Sequence, residues 1–322
     1  MGRHDGEAPS STITSPGAIV SPVVSVENLT KTYGSVTALA GVSFTVDEGE
    51  VLAILGPNGA GKTTAVEILE GYRQADSGTI SVLGHDPSSG GREFRDRIGI
   101  VLQETGIEFV LTVREAIDTY ARSYSRRLPT DELINLVGLD GKADARIKTL
   151  SGGQKRRLDL ALGLAGDPEL LFLDEPTTGF DPSARRKSWA MIEGLTDLGK
   201  TIMLTTHYLD EAQHLADRII VLSGGSIVAE GTADTLGVGR ASSTISFTVE
   251  GADRPPRLEG GPIMTGRTIT YRSTSVTSDL LALTSWATER GVELGGLEVA
   301  RPSLEDVYLD IVGEAGTGSR AS

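Results

Sequence analysis

Residues 50–64 read EVLAILGPNGAGKTT. After Glu50 comes a short continuous apolar run, Val51 to Leu55, with the length and composition of a strand buried on both faces in a parallel sheet. Gly56, Pro57, Asn58, Gly59, Ala60 and Gly61 then make a turn-rich loop, and Lys62, Thr63 and Thr64 open a helical pattern that ends near Gly71. The order is strand, glycine loop, helix. In that setting the match to G-x-x-x-x-G-K-[ST] at 56–63 predicts a phosphate loop. Glycines let successive amides converge on an oxyanion, and the helix N-terminus adds partial positive charge. Lys62 reaches the outer phosphates of a nucleotide and the Thr63 hydroxyl can ligate magnesium. An ordinary Gly-rich turn requires none of these features together.

The remainder of the chain sets bounds. Its 322 residues, 39% hydrophobic, suffice for one large domain or two ordinary ones. With 44 acidic against 30 basic residues the net charge is -14, which argues against a general nucleic-acid binder. Lys155, Arg156 and Arg157 read as a local basic patch. Cysteine is absent, so disulfides and Cys-based metal sites are excluded and a cytoplasmic setting is the expectation. No apolar run approaches the roughly 18–20 residues that a membrane-spanning helix needs.

Residues 1–22, rich in Ser, Gly and Pro, read as a disordered tail, as do residues 313–322. VVSVENL at 23–29 and GVSFTV at 41–46 alternate like antiparallel strands around a loop. Apolar runs in RIGIVL at 97–102, LLFL at 170–173 and TIMLTT at 201–206 stand beside helical patterns, which predicts an α/β fold with a mostly parallel sheet. Residues 108–165 read as a helical subdomain, and 218–231 as a hairpin turning at Gly224 and Gly225. A Gly-punctuated linker near 237–243 then divides a domain over 23–237 from a small α+β domain over 238–312. The second has strands at TISFTV, TITYRS and 292–299, and helices at 278–290 and at SLEDVYLDIV, 303–312.

Several side chains are placed for chemistry beside a phosphate loop. The buried run ending at Leu173 finishes in two carboxylates, Asp174 and Glu175, which strand alternation should send in different directions. Asp174 is suited to hold magnesium, and Glu175 to polarise a water for attack on a γ-phosphate. His207 and Gln103 each follow an apolar strand, at the sheet edge where α/β folds bind ligands. His207 is then placed to hydrogen-bond the γ-phosphate, and Gln103 to touch magnesium or the attacking water. Tyr33 lies where an exposed ring can stack on adenine. LSGGQ, residues 150–154, offers a capping box between Ser151 and Gln154, but Gly152 and Gly153 lower helix propensity in its first turn unless something must approach the backbone.

Taken together, Tyr33, GPNGAGKT, Gln103, LSGGQ, LLFLDEP, Asp181 in GFDP and His207 stand in the order found in the nucleotide-binding subunits of ABC transporters, which residues 23–235 resemble. The family residue before Asp181 is usually Leu and here it is Phe180. The resemblance implies a P-loop NTPase fold of the ABC type, with an antiparallel β subdomain and a helical subdomain, that binds and hydrolyses ATP with magnesium. It implies that Ser151, Gly152, Gly153 and Gln154 contact the γ-phosphate of ATP held by a second subunit, with Asp181 at the interface of a homodimer or heterodimer. It also implies a separate membrane-spanning permease subunit and a peripheral position on the cytoplasmic side of the membrane. PSLEDVYLDIVGE resembles the C-terminal extension of daunorubicin-resistance-type exporters, so export of drugs, lipids or other hydrophobic compounds is the expected direction. A soluble ABC-type ATPase of DNA repair or translation is the alternative, disfavoured because coiled-coil arms, a zinc module and a basic surface are all missing.

Overall fold

A computed structural model describes residues 22–101, 110–236, 243–249, 255–258 and 261–300, together with 305 and 308. Its centre is a six-stranded sheet of β3 (Val51–Leu55), β5 (Ile98–Val101), β6 (Leu170–Asp174), β7 (Thr201–Thr206), β8 (Arg218–Ser223) and β9 (Ser226–Gly231) in the order β5-β6-β7-β3-β8-β9. All neighbours pair in parallel except the hairpin β8–β9, as the buried apolar runs require. All five residues of β3 are buried, and they divide by parity. Leu52 and Ile54 join one core with Phe172 and Met203, while Val51, Ala53 and Leu55 join another with Leu171, Leu173, Ile202 and Leu204.

The first of those cores is closed by α1 (Lys62–Leu69) and by a three-stranded antiparallel sheet of β1 (Val24–Tyr33), β2 (Val36–Val46) and β4 (Ser77–Val82), order β2-β1-β4. The segment expected as a loop between β1 and β2 is strand almost throughout, because the register runs on to Tyr33 opposite Val36 and leaves only Gly34 and Ser35 to turn. The second core is closed by α3 (Val113–Ala121), α4 (Thr130–Leu136), α5 (Gly152–Leu164), α6 (Pro182–Asp197) and α7 (Leu209–Leu215). Among the described residues of the stretch expected to be helical, 110–165, there are three helices with two 3-10 turns between α4 and α5. A short α2 (Arg92–Arg97) ends at the residue before β5, so Arg97 is helical and not the start of the strand.

Beyond residue 243 lies a four-stranded antiparallel sheet, order β11-β12-β10-β13, of β10 (Ser243–Thr248), β11 (Ile263–Thr265), β12 (Thr268–Ser273) and β13 (Gly295–Ala300). One helix, α8 (Val276–Arg290), covers it over Ile245, Phe247, Ile269, Tyr271 and Leu283. The three-residue β11 was not legible, since it has room for neither alternation nor a continuous apolar run. The tails 1–21 and 313–322, Gln103, the linker at 237–242 and most of the expected helix at 303–312 lie outside the described residues. No described helix is long and apolar enough to cross a membrane.

Candidate functional site

The phosphate loop connects β3 to α1 at the C-terminal edge of the parallel sheet, where the loops of open α/β folds gather ligands. Two of its glycines are dictated by sterics. Gly61 caps α1 at φ +105°, and a Cβ there would sit 2.3 Å from the Ala38 carbonyl oxygen of β2. At Gly56 a Cβ would lie 2.3 Å from the Leu222 carbonyl oxygen of β8. The loop is therefore clamped between two strands. Ala60 donates to the Pro57 carbonyl and Ala65 to that of Gly61, while the amides of Gly59, Gly61, Lys62, Thr63 and Thr64 have no acceptor among the described hydrogen bonds. A row of open amides at a helix start, with Thr63 exposed beside it, fits the phosphates of a nucleotide.

Lys62 is 6% exposed and folds back on the loop, donating from Nζ to the Gly56 carbonyl at 2.8 Å and to the Pro57 carbonyl at 3.2 Å. Burial pulls its pKa down, and the charges of Glu175 and Asp174 oppose that. The end of β6 thus faces the phosphate-loop lysine across the site. Asp174 accepts from the Thr205 hydroxyl of β7 at 2.5 Å through one carboxylate oxygen. Its other oxygen and the Thr63 hydroxyl are hard oxygen donors of the kind magnesium takes.

Glu175 does not continue the strand alternation expected from sequence. Its φ of +46° puts it in the left-handed region, rare outside glycine, so the backbone turn and not the pleat aims its side chain. Its amide donates to the Thr205 carbonyl at 3.1 Å. Its carboxylate accepts from the Thr178 hydroxyl at 3.0 Å and meets His207 Nδ1, from the loop after β7, at 3.0 Å. The exposed His207 ring leans on Tyr208 with centroids 4.1 Å apart. Tyr33, 40% exposed at the tip of the β1–β2 hairpin, has Lys31 Nζ 5.5 Å and Arg73 Cζ 5.6 Å from its ring. The same hairpin touches the phosphate loop through Ala38.

Phosphate loop, Asp174, Glu175 and His207 therefore form one constellation. The stretch 151–154 is built differently. Ser151 caps α5: its hydroxyl accepts from the Gln154 amide at 3.3 Å, and Gln154 Oε1 accepts from the Ser151 amide at 3.0 Å, the capping box read from sequence. Gly152 is exposed and Gly153 half-buried, with nothing within 4 Å of a Cβ at either. No described hydrogen bond or ion pair joins these residues to the phosphate loop. Asp181, also exposed, caps α6 by accepting from the amides of Ser183 and Ala184, which hold its carboxyl below the usual range. An Asp followed by Pro182 at the first helical position is a readable N-cap signal that sequence reading had passed over.

Arg156 corrects an expectation. It is not part of a surface patch: half-buried, it donates to the carbonyls of Pro176 at 3.1 Å and Asp174 at 2.9 Å, tying α5 to the end of β6. The exposed His214 ring lies tilted 4.6 Å from Trp189, and the half-buried His85 ring lies 6.1 Å from Phe94. Glu211, a buried carboxylate on α7, was missed as well, because a Glu in the first turn of a short helix reads as solvated.

A family model for the ABC transporter covers residues 39–178, and one for an ABC transporter domain-containing protein-like C-terminal domain covers residues 243–303. The daunorubicin resistance ATP-binding protein DrrA3 of Streptomyces coeruleorubidus is 37% identical over 303 residues, 90% of this chain and 96% of that protein. The Nod factor export ATP-binding protein I of Rhizobium meliloti (strain 1021) is 45% identical over 223 residues, 67% of this chain and 66% of the relative. Among solved structures, an ATP-binding subunit of an ABC transporter superposes with a TM-score of 0.60 at 28% identity over 67% of this chain and 92% of that one. An ATP-binding cassette described as a dimer in a post-hydrolysis state with ADP and Pi superposes with a TM-score of 0.59 at 28% identity, over 65% and 98% of the two chains. The fold is the ABC ATPase P-loop fold, and the chain belongs to the ABC transporter ATP-binding proteins.

Proposed function

We propose that this chain is the ATP-binding and ATP-hydrolysing motor subunit of an ABC exporter. The observation that carries the proposal is the meeting of Lys62, Asp174, Glu175 and His207 around an open row of phosphate-loop amides. The amides of Gly59, Gly61, Lys62, Thr63 and Thr64, with the Lys62 ammonium, hold the phosphates of ATP, and Tyr33 offers its ring to the adenine. Thr63 and Asp174 hold magnesium, which when bound screens phosphate charge. Gln103 belongs to this set by its place in sequence. Glu175 is the general base that orients and deprotonates the attacking water, and His207, bonded to it, reaches the γ-phosphate.

The already capped stretch Ser151, Gly152, Gly153 and Gln154 is the half-site that covers ATP bound to another subunit, and Asp181 stands at that interface. ATP then joins two subunits, as a homodimer or with a close relative, and loss of the γ-phosphate releases them. With residues 23–237 as motor and 238–312 as an accessory domain, the subunit works on the cytoplasmic face of a membrane beside a separate permease. Its cargo is a drug, lipid or other hydrophobic compound, a reading supported by the resemblance to a daunorubicin resistance ATP-binding protein and a Nod factor export ATP-binding protein. Lys62→Ala tests the core of this reading: nucleotide binding and turnover fall to background, and retention of tight ATP binding would overturn the phosphate-loop assignment. Purification from native membranes in mild detergent tests the transport part, with a multi-span protein in fixed ratio as the expected result.

A further inference from the structure

Glu211 has no exposed surface, yet its carboxylate sits at the junction of the segments that carry the reactive groups. Its Oε1 accepts from the Thr177 hydroxyl at 2.7 Å and from Trp189 Nε1 at 3.3 Å. Thr177, also fully buried, stands two residues after Glu175 in the loop between β6 and α6, and its carbonyl accepts from the Phe180 amide at 3.1 Å, setting the turn that delivers Asp181. Trp189 belongs to α6, the helix that Asp181 caps. One carboxylate oxygen thus fixes both ends of the loop that bears the base.

Its neighbours hold the other partner of the base. Asp210, adjacent on α7, accepts from Arg185 Nη1 at 2.8 Å. The Arg185 guanidinium covers the Tyr208 ring at 4.4 Å, and that ring lies against His207. The first turn of α7 therefore sets Glu175 through Thr177 and His207 through Tyr208.

Burial pushes the Glu211 pKa up, while donors from Thr206, Thr177 and Trp189 and the charge of Arg185 pull against it. An apolar side chain would fill this position without that desolvation cost. Its bonds to the Thr177 hydroxyl and Trp189 Nε1 are what an apolar replacement would lose.

We propose that Glu211 is a positioning residue for ATP hydrolysis, holding the loop from Glu175 to Asp181 in register with His207 through its bond to Thr177. The inference rests on the reading of Glu175 as the base. The test is steady-state ATP turnover by the full-length chain at saturating magnesium, below the melting temperature of every variant. Glu211→Ala should lower kcat about tenfold or more with KM for ATP changed less than about threefold, since the phosphate loop is untouched. Glu211→Gln keeps the Oε1 acceptor and should restore kcat to within about threefold of the parent. Thr177→Val should match Glu211→Ala, and the double variant should be no slower than either single one, the mark of a shared path. Should Glu211→Ala fail to fold, Glu211→Gln and Thr177→Val decide the matter alone. Parental kcat in Thr177→Val, equal damage from Glu211→Ala and Glu211→Gln, or a KM that rises in step with lost kcat would overturn the proposal. Glu175→Gln is the control: parental turnover there removes the base assignment and this inference with it, whereas an inactive Glu175→Gln beside a fully active Glu211→Ala removes this inference only.

Discussion

The chain has two Gly-rich helix starts, and they are built on opposite principles. At the start of α1 the glycines are enforced from within, since the Ala38 and Leu222 carbonyls leave no room for a Cβ at Gly61 or Gly56, and the loop amides stay open. At the start of α5 nothing stands within 4 Å of a Cβ on Gly152 or Gly153, and the helix end is already satisfied by its own Ser151 and Gln154. The first is a cradle the chain completes alone. The second has glycines with no reason in the monomer, which is the property expected of a surface shaped for another molecule.

Alanine separates the two most sharply. Gly61→Ala forces a side chain into a left-handed conformation against backbone and should cost about 3 kcal/mol or more of stability, read as a lower denaturant midpoint. Gly153→Ala, in an open first turn of a helix, should be neutral or stabilising by about 0.5–1 kcal/mol. Gly153→Asp completes the contrast: the fold is retained and single-subunit ATP binding persists, but turnover collapses because a carboxylate now faces the γ-phosphate. Equal destabilisation at the two positions would erase the distinction, and normal turnover by Gly153→Asp would end the shared-site reading.

The same contrast explains what the sequence made legible. The phosphate loop, the buried parallel strands and the hairpin at Gly224 and Gly225 are local patterns whose cause lies within a few residues, so periodicity and turn chemistry suffice. Asp174, Glu175 and His207 lie at the ends of β6 and β7, but the aim of Glu175 depends on a positive φ that no local pattern announces. Arg156 and Glu211 were beyond reach for another reason. Each is a charged side chain buried by an element distant in sequence: Arg156 reaches the end of β6, 18 residues away, and Glu211 reaches Thr177, 34 residues away. Polar residues near helix starts read as solvated until tertiary packing covers them.

The two helices differ at their far ends as well. α5 closes on Leu164 and Ala165, both buried and apolar, whereas α1 is followed by Glu70, only 6% exposed at the wall of a groove shared with Tyr72, Phe94 and Tyr124. Burial first, then the charges of Asp174 and Glu67, raise the Glu70 carboxyl from 4.5 to about 8. The folded state therefore keeps a proton that the unfolded chain has already released. That stabilisation is complete below about pH 4.5 and is lost progressively as pH rises toward 8. One proton bounds the slope at about 1.4 kcal/mol per pH unit, so between pH 5.5 and 7.5 the parent should lose up to about 2.8 kcal/mol that Glu70→Gln does not. Thermal melts of the two proteins across that range decide it, and parallel curves would remove Glu70 as the source.

The smallest effect tests whether Ser151 has one role or two. As a cap, its hydroxyl accepts from the Gln154 amide, and Ser151→Ala should lower stability by about 1 kcal/mol. If capping were its whole purpose, Asp would serve as well, because Asp and Ser are near-equal N-caps and a negative charge there suits the helix dipole. Ser151→Asp should therefore match the parent in denaturant midpoint. At the proposed interface the prediction reverses: the added carboxylate repels the γ-phosphate on the other subunit, so turnover should fall further than in Ser151→Ala, and nucleotide-dependent pairing, followed by size-exclusion chromatography in the Glu175→Gln background, should disappear. A Ser151→Asp variant with both parental stability and parental turnover would leave the capping box as the full account of the residue. Parental stability with lost pairing would show that a single hydroxyl satisfies its own helix in the monomer and serves the partner's nucleotide in the dimer.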